Sequence, residues 1–116
     1  MNLTTTQPTP PAQPWKWRTR EGQWLRPAQM TTTHLFYTLR MIWNHTMPAP
    51  AQLPGGRYNF GAYYTEEYMK AAIVHVTTEL ARRDDLPREL GQQLKHMINW
   101  LRTHQVEGIE LPKLLR

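Results

Sequence analysis

The stretch "WKWRTREGQWLRP", residues 15–27, decides how the chain begins to fold. Trp15, Trp17 and Thr19 alternate with Lys16, Arg18 and Arg20, and a period of two is the signature of a strand with one face inward. Glu21-Gly22 supplies a turn, because glycine reaches positive φ without steric cost. Gln23 to Arg26 then returns as a second short strand, and Pro27 ends it. A lone two-stranded hairpin is marginal in water, so this one has to pack on helices or pair with another subunit. One use of the alternation is to bury the tryptophans against the first helix and leave the cations in water. The other is a platform for something anionic and flat, such as a nucleotide. The two are compatible, since burying Trp15 and Trp17 aims Lys16, Arg18 and Arg20 the other way.

Beyond the hairpin the period changes to that of helices. The first is expected over about residues 32–44, with Thr31 as N-cap and Met30 and Leu35 at the two positions of a hydrophobic staple. Leu35, Leu39, Ile42 and Trp43 form its apolar stripe, and Pro48 and Pro50 stop it. The second spans about 66–83, capped by Thr65, with Glu66 and Glu67 in the turn where the helix dipole favours acids. Its stripe is Met69, Ile73, Val76 and Leu80. The third runs over about 87–104, after Asp84 and Asp85. Leu90, Leu94, Met97, Ile98 and Leu101 recur on one face, and Gly108 is the expected terminator. "IELPKLLR", residues 109–116, is too apolar to float free and is expected to dock on the domain or on a neighbour. Residues 1–14 hold four prolines and three consecutive threonines. They read as a disordered tail, because such composition cannot offset its ordering entropy. The chain is thus expected to be one mainly α domain, residues 15–116, with a short N-terminal β-hairpin, an α+β arrangement.

Composition narrows the function classes. The 116 residues suffice for one modest core. There is no cysteine, which excludes disulfides and thiolate metal sites and fits a cytoplasmic setting. No apolar run approaches the ~20 residues that span a bilayer, and the first residues lack the basic and apolar regions of a signal peptide. A formal charge of +5 and a pI near 9.9 favour anionic partners. The cations are spread along the chain rather than gathered into a DNA-binding arm.

No catalytic constellation stands out. His34, His45, His75, His96 and His104 show no metal-ligand spacing, and the acidic pairs Glu66-Glu67 and Asp84-Asp85 each lie beside a helix start, where capping explains them. No nucleophile elbow, Walker loop or dinucleotide fingerprint is present. The expectation is a protein that is not an enzyme and has no cofactor or metal. The informative segment is "GGRYNFGAYYTEE", residues 55–67. Its glycines permit close backbone approach, and Arg57, Tyr58, Phe60 and Tyr63 offer a guanidinium and three rings for stacking on a base. The same rings also suit a lid folded on the core. In "ARRDDLP", Arg82 and Arg83 suit phosphates; they equally suit the helix C-terminus and pairing with Asp84 or Asp85.

The run "WRTREGQWLRPAQMTTTHLFYTLRMI", residues 17–42, resembles a pattern of small phage and prophage proteins. The matching residues are Trp17, Thr19, Gly22, Leu25, Met30, His34 and Leu35, with Tyr68 and "ELARR" (Glu79 to Arg83) similar further on. Among characterised families it is most similar to phage anti-Thoeris proteins, small oligomeric sponges that sequester cyclic ADP-ribose signals without cleaving them. The chain departs from that pattern in its proline-rich start and its strong third helix. The resemblance implies a hairpin–helix fold, a homo-oligomer, and Met30, His34 and Arg83 as binding positions. Together with Arg57, Tyr58, Phe60, Tyr63, Arg82, Lys16 and Arg18 these are the candidate ligand-binding residues. The expected function is non-catalytic binding of an anionic nucleotide-type signal in a counter-defence role. The alternatives are an inhibitor that covers a host defence protein, anti-CRISPR-like, and a small nucleic-acid-binding accessory protein.

Overall fold

A computed structural model describes residues 14–115. The proline-rich tail therefore lies outside the described residues, save for Pro14. The architecture is the expected one: an antiparallel hairpin, β1 (Trp17–Arg18) and β2 (Trp24–Leu25), then α1 (Thr32–Thr46), α2 (Glu66–Ala81) and α3 (Arg88–His104). Single 3-10 turns lie at Pro27–Gln29, Ala49–Ala51 and Lys113–Leu115.

The ladder is shorter than the sequence alternation suggests: only Trp17 faces Leu25 and Arg18 faces Trp24. The turn is where it was expected. Thr19 N–H reaches the Gln23 carbonyl at 2.7 Å, and Gly22 holds φ at 89°. Trp17 and Thr19 are buried. The tryptophans, however, stack on α2 rather than on α1. Trp17 lies parallel to Tyr68 at 5.7 Å and Trp15 parallel to His75 at 4.8 Å. The physical reason is complementary shape: α2 offers flat rings at Tyr68 and His75 on its hairpin side, with Tyr64 just before its cap, while the inward face of α1 is spent on the core.

That core is the seam between α1 and α2. Leu35, Phe36, Leu39, Ile42 and Trp43 from α1 meet Met69, Ile73, Val76 and Leu80 from α2, and all are excluded from water. Both N-caps form as read: Thr31 Oγ1 accepts the His34 amide and Thr65 Oγ1 accepts the Tyr68 amide. Met30 and Leu35 are both buried, as a staple requires. α3 adds Leu90, Leu94, Met97 and Leu101; Ile98 is only half-buried.

Three local expectations are corrected. α2 ends at Ala81, so Arg82 and Arg83 fall beyond it. Pro87 caps α3 with no side-chain hydrogen bond, so the aspartates do not cap it; Asp85 instead accepts the Thr32 hydroxyl at 2.6 Å and ties the α2–α3 link to the start of α1. α3 is terminated by Gln105 in the left-handed region, φ 46°, three residues before Gly108.

Candidate functional site

The long connection over residues 47–64 is held by side chains from the last turn of α1. Trp43 Nε1 donates to the Ala51 carbonyl at 2.8 Å. Asn44, itself buried, donates to the carbonyls of Leu53 and Gly56 and accepts the Leu53 amide at 2.7 Å. His45 Nδ1 meets the Tyr58 carbonyl at 3.1 Å. Consecutive residues on α1 thus satisfy backbone groups that a loop leaves open. Farther along, Phe60 is wedged edge-on among Trp17, His45 and Tyr58, with Tyr64 tilted beside it, at centroid distances of 4.8–6.1 Å. The loop is therefore a folded lid on the aromatic core, and Phe60 is one of the residues that fastens it.

Between this lid, the hairpin and the outer face of α1 lies a cleft of about 400 Å³, within the size range of small-molecule sites. The hairpin contributes Trp17, Arg18, Arg20 and Gln23. α1 contributes His34, Tyr37, Thr38 and Met41, and the lid contributes Tyr58, Phe60 and Tyr64. Two arginines and a histidine thus share one concavity with five aromatic rings, against one acid, Glu21. Arg18 is half-buried, with its guanidinium 4.5 Å from the centre of the Tyr63 ring. Tyr37 is exposed; Arg40 sits 4.8 Å from its ring, and Phe36 packs against it edge-on. A ring fixed by neighbours in this way is a stacking surface that loses little freedom when a flat ligand binds.

The cleft gathers four of the candidate residues: Arg18, His34, Tyr58 and Phe60. Tyr63 stands on the rim beside Trp24, at a centroid distance of 6.0 Å, and both are about half exposed, 49% and 48%. Arg57 lies outside the lining, its guanidinium 3.4 Å from the His45 carbonyl. Lys16 is exposed and does not line the cleft, and Met30 is in the core. Arg83 is used by the fold: its three nitrogens reach Glu79 Oε2 (2.9 Å), Thr32 Oγ1 (3.0 Å) and the Pro27 carbonyl (3.1 Å). Arg82 is exposed and weakly paired with the same Glu79 at 3.6 Å, so neither arginine pairs with Asp84 or Asp85.

Tyr37, Thr38 and Met41 were missed in the sequence. With His34 they sit at i, i+3, i+4 and i+7, a second stripe on α1 beside the core stripe. An aromatic and a methionine off the core face are the signal that marks it. Among the described residues no group of three or more His, Asp or Glu gathers to hold a metal ion, and no helix is long and apolar enough to cross a membrane. Compared with family models, with curated proteins and with solved structures, the chain matches none.

Proposed function

We propose that this protein binds an anionic, nucleotide-type ligand in the cleft between the hairpin, α1 and the lid, and holds it without chemical change. The observation that carries this reading is the meeting of Arg18, Arg20 and His34 with Tyr37, Tyr58 and Phe60 around one concavity. Arginines match phosphate oxygens with charge-assisted hydrogen bonds. Aromatic faces stack on bases of any sequence for roughly 1–3 kcal/mol each. The excess of cations over acids in the whole chain favours capture of an anion. Retention of a signalling nucleotide, in the manner of a counter-defence sponge, is the role that the resemblance of the hairpin and α1 adds to this chemistry.

The test is a panel of cyclic nucleotides and ADP-ribose derivatives, each incubated with the protein. Unbound ligand is removed, the protein is heat-denatured, and the released material is identified by mass spectrometry. An intact nucleotide is expected. Release of a cleaved product, or of nothing from any member, overturns the proposal. With the nucleotide recovered, calorimetric titration of Arg20→Ala and Tyr37→Ala is expected to show losses of about 1–3 kcal/mol each, with melting unchanged.

A second reading has its own support. Trp24 and Tyr63 form an exposed aromatic pair on the rim, the residue types that anchor protein interfaces. An acidic surface of a host protein covering that rim would make the molecule an inhibitor of a protein rather than a trap for a small molecule.

A further inference from the structure

Past α3 the chain doubles back and leaves a knob beside a groove. Gln105 turns the backbone, with its N–H returned to the Leu101 carbonyl at 3.2 Å, and Gly108 at φ 85° turns it again. Ile109 and Leu111 then enter the core. The tail thus docks on its own domain through Ile109 and Leu111. The 3-10 turn Lys113–Leu115 follows. It is pinned to α3 by Arg102, whose Nε donates to the Leu115 carbonyl at 2.7 Å. Leu115 packs against the core, and Leu114 is left 95% exposed. No other large hydrophobic residue among those described is so bare.

An open groove of about 620 Å³ lies between the end of α3 and residues 105–111, and Arg102, which lines it, is the same residue that holds the turn carrying this leucine. Leu101, Val106 and Ile109 give it an apolar floor, and Glu107 and Glu110 stand on its walls. Glu107, Glu110 and Lys113 have no ion-pair partner among the described residues.

We propose that two copies of this chain associate through this end, each seating Leu114 in the groove of the other. Knob and groove lie within a few residues on one chain. A twofold axis between two such ends satisfies both at once, the self-complementary geometry of an isologous dimer. The charges agree: Lys113 travels with the knob and meets Glu110 on the wall of the facing groove. The surface concerned is small, so the dimer belongs to the weak, reversible class.

Sedimentation equilibrium of the full chain over about 1–500 μM, the range of micromolar dissociation constants, tests this. The wild type is expected to pass from monomer to dimer, and Leu114→Glu to weaken association at least about tenfold. Glu110→Lys and Lys113→Glu are each expected to weaken it as well. The chain carrying both substitutions restores it, because the pair is re-formed with its signs exchanged. A wild type that stays monomeric throughout overturns the proposal. So does a dimer indifferent to Leu114→Glu, or a double variant no better than the single ones. A circular-dichroism melt of each variant at the dilute end checks that the monomer is folded. Loss of association through unfolding would show as a lowered melt, which the double variant would not reverse.

Discussion

The Tyr68 hydroxyl accepts the backbone N–H of Arg18 at 2.9 Å and donates to the Lys16 carbonyl at 2.8 Å. Tyr64, in the loop just before the cap of α2, donates to the Arg18 carbonyl at 2.8 Å. Two tyrosines thus stand in for a third strand along the outer edge of β1. This explains how a ladder of two residues per strand is held: its open edge is hydrogen-bonded by the start of α2 and the residue before its cap, and its tryptophan is stacked on the Tyr68 ring.

Tyr68→Phe keeps the stack and removes both bonds. The expected loss is about 1–3 kcal/mol in chemical denaturation, because an amide and a carbonyl lose their partner. Burial pushes the Tyr68 hydroxyl up to about 12, above its ordinary value of 10.0. Because the folded value is the higher one, the stabilisation is complete below pH 10 and is lost as pH rises toward 12. Wild-type stability should therefore fall more steeply over that window than that of Tyr68→Phe, measured by urea midpoints against pH.

His75 shifts the other way. His75 remains open to solvent at its edge, but Trp15 covers one face of the ring, and this partial desolvation disfavours the imidazolium and lowers its value from 6.5. A depressed folded value means stability that is present above pH 6.5 and lost as pH falls. Melting temperature is expected to decline on acidification below that point, and His75→Phe, which keeps a ring on Trp15, should decline less. Parallel pH profiles for the two chains would sink this assignment.

Arg83→Lys tests whether that arginine belongs to the fold. Lysine keeps the charge but cannot reach Glu79, Thr32 and Pro27 together, since it lacks the planar fork. The expectation is a lowered melt with nucleotide binding unchanged. Weaker binding at an unchanged melt would return Arg83 to the ligand site.

In the lid, Phe60 and Arg57 are expected to behave differently. Phe60→Ala opens a hole among four rings and should cost up to about 3 kcal/mol of stability, below the scale of a fully buried phenylalanine because the ring is half-buried. Arg57→Ala, outside the cleft, should leave both the melt and ligand affinity as they were. Calorimetric titration beside a melt separates the two effects.

Much of this fold is written locally. The change of period from two to 3.6, the threonines before each of the first two helices, and the apolar stripes of α1, α2 and α3 are short-range properties, and they suffice for the order of elements. Glu21-Gly22 fixes the turn because only glycine sits easily at φ 89°. Which surface each stripe meets is not local. Trp15 and Trp17 could be read as buried, but that they would stack on Tyr68 and His75 depends on how α2 lies against the hairpin, about 50 residues later. Arg83 shows the same limit: its neighbours in sequence suggest a phosphate or the adjacent aspartates as its partner, and only the return of residues 27–32 to its side occupies the two nitrogens that the local Glu79 leaves open. The cleft is likewise a product of tertiary packing. Arg18, His34 and Phe60 are spaced so widely that no spacing rule joins them. They share a cavity because Asn44 and Phe60 fold the lid back over α1, bringing side chains from three segments to one wall.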